Sequence, residues 1–282
     1  MKLGVSMWSY HRDAYAGNLD PAGFVRMAKQ IGADGVELLD AFYKDPAADH
    51  QAVKAALQET GLPCPIFSVG PNFAKDSESE RAAEVAKVRF GIEEAVRLGS
   101  NVVRVFAGDV RDGIDFDSAR RWLVECLAEC SRIAAGEGRL LALENHGRLA
   151  GRSDQVRGLI HDVRTMAGND SLGANPDTGN FLLVDETPHD AVRNLADLAK
   201  MVHFKDFAAP GSPEEAERAM RSDGGTPYLG AAIGEGVVDL AACVAALKEG
   251  GFNGWLSIEY EGQEPSESAV PRSVVNARSF LR

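Results

Sequence analysis

Cysteine is scarce in this chain: four in 282 residues (Cys64, Cys126, Cys130 and Cys243), too few and too scattered for a disulfide framework. Cys126 and Cys130 stand four apart in the helical stretch WLVECLAECSRIAA, a spacing that faces both toward a core and does not call for a metal. The first residues, MKLGVSMWSYHRD, lack the apolar run and small-residue cleavage site of a signal peptide, and no stretch reaches the ~18 uninterrupted apolar residues of a spanning helix. These absences predict a cytoplasmic protein with no membrane partner. Basic residues are also in deficit, 30 Lys and Arg against 42 Asp and Glu, a net charge of −12. Broad contact with a phosphate backbone needs clustered cations, so no nucleic-acid partner is expected. No G-x-G-x-x-G follows the first strand-like run, where WSYHRDAYAGN stands instead, and this argues against a dinucleotide-binding open sheet.

What remains is an ordinary globular composition, 45% hydrophobic and 26% charged, in which short β-rich runs alternate with helical stretches. Strands are predicted over 3–9, 35–39, 65–70, 101–107, 140–145, 172–176, 201–205 and 255–260. Between them lie helical segments such as FVRMAKQIGA and HQAVKAALQETG, several ending in glycine, as at Gly32, Gly61, Gly99 and Gly251. Alternation of this kind implies parallel pairing through helical crossovers. Eight such units in a length near the ~250 residues of a closed barrel predict an α/β fold, a single (β/α)8 TIM barrel spanning 1–282. Two insertions are expected on the active face. GPNFAKDSESE follows the third strand, and 207–236, rich in Gly, Pro and Ala, follows the seventh, as a lid or as a disordered or oligomer-contacting loop. The segment SESAVPRSVVNARSFLR reads as a final helix.

Four segments of the second half, LLALENHG, GANPDTGN, MVHFKD and WLSIEYEG, each carry a metal-binding residue at or near the end of an apolar run. The residues are Glu144, Asp177, His203 and Glu259. Barrel sites lie at the C-terminal ends of strands, so four consecutive strand ends converge on one point. Three carboxylates and one imidazole form a hard, mostly oxygen shell suited to one divalent ion, Mn2+ or Mg2+ first, with Co2+ or Zn2+ accepted. Glu259 is preferred over Glu261 as ligand because it lies deeper in its apolar run. Taken singly, Asp177 also reads as an Asx-turn residue and His203 as a core histidine. Their joint placement favours the metal.

Side chains alternate along a strand, so His146 shares a face with Glu144, and Lys205 with His203. Both are expected to contact substrate. Softer substrate-binding candidates are Asn180, three residues past Asp177; Trp8 and His11, which wall a pocket or pack in a loop; and Glu37, which lines the pocket or binds a helix terminus. Arg104 is open in direction, and Gly234, Glu235 and Gly236 read as backbone punctuation.

The stretches GVELLD, VVRVFAG, LENHG, NPDTGN, HFKD, GEGVVDL and AALKEGGFNGWLSIEYEG give the whole chain a resemblance to the sugar phosphate isomerase/epimerase family of xylose-isomerase-like barrels. The resemblance implies that Glu144, Asp177, His203 and Glu259 bind the metal. It also implies carbohydrate metabolism: an isomerase or epimerase acting on a ketose, keto-sugar or cyclitol by proton abstraction next to a carbonyl, through a metal-stabilised enediolate. Glu144 and Glu259 are then the catalytic carboxylates. The alternatives are a lyase or dehydratase working by inosose-, dehydroshikimate- or keto-glycoside-type elimination, and a non-catalytic sugar-binding barrel or subunit of a hetero-complex. Ketose epimerases carry His where this chain has Asn180 and Arg where it has Ala209, which weakens assignment to that branch. Without clustered arginines, an unphosphorylated small-molecule substrate is favoured, and a homo-oligomer is compatible with the sequence.

Overall fold

The computed structural model describes residues 1–110 and 113–281, so Arg282, the last residue of the predicted closing helix, lies outside the described residues. Strand and helix alternate as the periodicity requires. The order is β1 (Lys2–Ser6), α1 (His11–Tyr15), α2 (Pro21–Gln30), β2 (Gly35–Leu39), α3 (Pro46–Thr60), β3 (Ile66–Ser68), α4 (Glu78–Leu98), β4 (Val102–Val105), α5 (Phe116–Gly136), β5 (Leu140–Glu144) and α6 (Ser153–Ala167). It continues through β6 (Leu172–Asn175), α7 (Pro188–Leu195), β7 (Val202–Phe204), β8 (Asp206–Ala208), α8 (Pro213–Arg218), β9 (Met220–Arg221), β10 (Pro227–Ala231), α9 (Leu240–Glu249), β11 (Trp255–Ile258) and α10 (Ser266–Phe280). Helix boundaries follow local chemistry. Asp45 caps α3 by accepting from Ala47 and Ala48 N–H, and Gly61, at φ +67°, ends it in the left-handed region.

Eight parallel strands form the barrel in the order β6-β5-β4-β3-β2-β1-β11-β7, so all eight strands expected from sequence are present, with β11 as the eighth. The ring closes between β6 and β7 by isolated bridges, Ala174 to Ala199 and Asp177 to His203. Backbone hydrogen bonds support this seam, from Lys200 N–H to Ala174 O, from His203 N–H to Pro176 O and from Thr178 N–H to His203 O.

Inside the barrel, Ile66, Val102, Ala142 and Met201 make a small apolar cluster with Leu140 and Trp255, separate from the large core under the helices. Two positions further along each of these strands the side chain faces the same way. Those positions hold Ser68, Arg104, Glu144, His203 and Ser257. An apolar floor thus carries a polar layer directly above it, at the strand ends where a barrel places its site.

The 207–236 insertion is ordered. Its backbone forms a three-stranded antiparallel sheet, β8-β10-β9, together with α8. β10 docks beside the loop after β11 through a bridge between Gly230 and Gly262, where a Cβ on either residue would collide with the opposite backbone. The return to the barrel is anchored by Asp206. Its buried carboxylate accepts from the N–H groups of Phe207 (2.9 Å), Gly234 (3.0 Å), Gly236 (3.0 Å) and Val238 (3.2 Å). The glycines around Glu235 are therefore donors to a fixed acceptor as well as turn residues. Asp206→Ala strands these donors and should cost about 3 kcal/mol in urea unfolding, whereas Asp206→Asn, which keeps one acceptor oxygen, should cost less than half as much.

Candidate metal centre

Glu144, Asp177, His203 and Glu259 each offer a ligand atom, and those atoms all lie within 4.8 Å of one another. All four residues are buried, at 5% exposure or less. His203 Nδ1 is 3.1 Å from Glu144 Oε2, 3.2 Å from Glu259 Oε2 and 3.8 Å from Asp177 Oδ2. Asp177 Oδ2, His203 Nδ1 and Glu259 Oε2 are buried without a hydrogen-bond partner. Charged neighbours stand at 3.0 to 3.2 Å without hydrogen-bond geometry, and a divalent cation would join all three atoms at once. One imidazole and three carboxylates match the donor set of such an ion.

The ligands are held by a ring of side-chain amides. Asn175 donates to Glu144 Oε2 (3.1 Å), and its carbonyl accepts from His203 N–H (2.8 Å). Asn145 accepts from Asp177 N–H (2.6 Å). Asp177 Oδ1 accepts from the N–H groups of Gly179 and Asn180, both at 2.9 Å. Asp177 is thus an Asx-turn residue through one oxygen and a ligand candidate through the other.

Glu37 stands behind His203. It is fully buried and accepts from Ser68 Oγ (2.5 Å) and Ser257 Oγ (2.5 Å), and its two oxygens lie 3.0 and 3.1 Å from His203 Nε2. This contact puts the proton on Nε2 and leaves the Nδ1 lone pair facing the cluster. The structure therefore corrects the expectation that Glu37 lines the pocket or binds a helix terminus: its carboxylate is spent on two hydroxyls and the imidazole.

Charge is compensated within the site. Burial opposes ionisation of Glu144, but His203 and Arg104 hold its carboxyl below the usual range. Burial likewise opposes charge on Glu259, which His203 and Lys205 hold well below that range. For Asp177 burial wins, pushing it up to about 7 against the pull of Lys205. Burial works against charge on His203 too, yet Glu259, Glu37 and Glu144 raise its proton affinity well above that of a free imidazole.

The cluster opens onto a cavity of about 450 Å³, lined at this end by Glu259, Lys205, Arg104 and His146. Lys205 Nζ is tied to Glu261 (2.9 Å), Glu259 (3.0 Å) and Asp177 (3.2 Å). Glu261, the rival ligand, lies outside the cluster, pairing with Lys205 and accepting from Trp8 Nε1 (2.5 Å). His146 stacks on Phe106 with ring centroids 3.9 Å apart, and its Nδ1 is 4.0 Å from Asp109. Trp8 lies on the cavity wall, while His11 stacks behind it at 4.9 Å. Asn180 is buried off the wall, bridging Glu144 Oε1 (3.4 Å) and Lys205 Nζ (3.3 Å).

Arg104 settles inward, 97% buried. Its Nε is 3.3 Å from Glu144, its NH1 donates to Val69 O, and its guanidinium lies 4.1 Å over the Phe106 ring. Sequence reasoning left this residue open and missed Phe106. The alternation that links Glu144 to His146 would have found the pair, two apart, with Arg104 on β4 and Phe106 just past its end.

A proton and a metal ion compete for His203 Nδ1 and Asp177 Oδ2. Protonation of both rises as pH falls, so metal affinity should fall as pH drops through about 7. Mn2+ titration calorimetry at pH 6 and pH 8 should show binding weaker at pH 6 by at least an order of magnitude. Glu37→Gln, by weakening the hold on the Nε2–H tautomer, should lower Mn2+ affinity roughly 10- to 100-fold at pH 8 in a folded protein.

The fold recurs in other proteins. Structures similar over the whole chain include a xylose isomerase-like TIM barrel protein from Mycobacterium smegmatis in complex with magnesium (TM-score 0.75, 18% identity, 99% of this chain and 95% of that one). Another is the IolI protein with a bound zinc atom (TM-score 0.76, 17% identity, 100% and 96%). A third is 3-keto-D-glucoside 4-epimerase from E. coli (TM-score 0.73, 17% identity, 99% of each). An inosose dehydratase of Lacticaseibacillus casei is 26% identical over 132 residues, 46% of this chain and 44% of that protein, so the match spans less than half of the relative's length. The family model described as xylose isomerase-like TIM barrel matches residues 25–280. With that match across nearly all of its length, the chain belongs to the xylose isomerase-like TIM barrel family.

Proposed function

We propose that this protein is a divalent-metal-dependent isomerase or epimerase of an unphosphorylated keto-sugar, ketose or cyclitol. The observation that carries the reading is the pair of carboxylates, Glu144 and Glu259, that converge on His203 Nδ1 at 3.1 and 3.2 Å. Glu144, Asp177, His203 and Glu259 would hold the metal, which when bound acts as a Lewis acid toward a substrate carbonyl. The carbon next to that carbonyl then loses its proton to one carboxylate and regains one from the other. Burial keeps water from competing for the proton. Lys205 and Arg104, the cations at this end of the cavity, face the negative charge that develops on oxygen as the proton leaves. Arg104 beside Glu144 and Lys205 beside Glu259 give each carboxylate its own cation and keep both ionised between turnovers.

A lyase is the second reading. It is favoured by His146, half-exposed on the cavity wall beside Asp109, where an imidazole can protonate a departing hydroxyl. The similarity to an inosose dehydratase supports the same reading. The outcomes are separated by NMR in deuterated water with Mn2+-loaded protein and a panel of ketoses, keto-glycosides and inososes. Isomerisation or epimerisation places deuterium on a retained carbon; release of water or an aglycone without such labelled product selects the lyase. Glu144→Gln should lower the exchange rate at least 10³-fold, with metal content measured alongside to separate lost chemistry from lost metal. Near-full exchange in that variant refutes Glu144 as a proton carrier.

A further inference from the structure

The cavity extends well past the metal cluster. The ligands come from β5, the turn after β6, β7 and the end of β11, while the remaining walls come from the opposite half of the barrel. Trp8 follows β1, Leu39 ends β2 and Ala41 follows it, Gly70 follows β3 and Phe106 follows β4. A single hexose packed at protein density takes roughly 200 Å³ and leaves part of the 450 Å³ cavity unfilled. The part left over is walled mainly by carbon. Sugar hydroxyls directed at Leu39, Ala41 and the Phe106 ring would leave water without gaining acceptors, whereas an apolar group there gains by burial.

The walls are braced. Trp8 stacks on His11 at 4.9 Å, leans on Phe42 at 6.0 Å and is pinned through its Nε1 to Glu261. Phe106 carries Arg104 and His146 against its ring. Gly70 keeps the space beside Phe106 open, since a Cβ there would sit 3.4 Å from that ring. At the margin, Asp40 and Lys87 bring the polar groups that a phenolic hydroxyl requires.

We infer that the β1–β4 half of the cavity is a subsite for an aryl aglycone, so that the substrate is an aryl glycoside whose sugar ring lies at the metal cluster. This rests on the keto-sugar reading of the cluster and adds the group attached to the sugar.

The test is calorimetry on Mn2+-loaded protein with matched methyl and phenyl glycosides of common hexoses and pentoses, in wild type and in Ala41→Trp. Ala41 is exposed on the subsite wall, so the substitution fills the subsite without disturbing the core. For at least one sugar, the phenyl member should bind about tenfold more tightly than the methyl member, and Ala41→Trp should bring that ratio close to one. Phenyl members that bind no better than methyl members, or a ratio unchanged by Ala41→Trp, overturn the subsite. Failure of the keto-sugar reading looks different: no deuterium enters any keto-sugar while the phenyl preference persists.

Discussion

Four ionisable side chains with ligand atoms inside 4.8 Å, all buried, is the constraint to which the rest of this structure answers. Like charges at that spacing repel strongly in a low-dielectric interior, so each carboxylate has to be given donors or cations. Arg104 serves Glu144, Lys205 serves Glu259 and Asp177, and Glu37 serves the far nitrogen of His203. The amides of Asn145, Asn175 and Asn180 then fix the directions of the ligands. Removing any one of these groups would leave a buried charge or dipole unmatched, which is why so many polar residues sit at the strand ends and so few on the floor beneath them.

The clustering of these four residues was legible in the sequence because it depends on two simple regularities, the alternation of strand with helix and the convergence of strand ends. Glu144, Asp177, His203 and Glu259 follow from those alone, and the choice of Glu259 over Glu261 followed from depth in an apolar run. Glu37 was visible as a strand-end acid, but its partner was not: pairing with His203 across 166 positions depends on which strands meet around the ring. Asn145 and Asn175 were hidden for the same reason, since an amide in a turn gives no sign of which carboxylate it will orient, and Asn180 was read only as a substrate contact. The three-stranded sheet in 207–236 was also hidden. Its strands are short and rich in Gly and Ala, and they exist through pairing and through the grip of Asp206 rather than through propensity.

The two halves of the barrel mouth have different characters. β5, β7, β11 and the turn after β6 supply the cluster, whereas the β1–β4 half supplies Trp8, Leu39, Ala41, Gly70 and Phe106 to the cavity wall together with the charged Asp40, Lys87 and Arg104. One fold can therefore keep a fixed reacting end while the other end varies with the compound to be recognised, because the residues that define the two ends lie on different strands.

The seam between β6 and β7 is where two residues of the cluster meet. Asp177 and His203 are bridge partners across it, and both point ligand atoms into the cluster. An ion held by the two would join opposite sides of this seam through side chains as well as backbone. The barrel already closes here through its backbone, and a bound ion would add a side-chain link across the same seam.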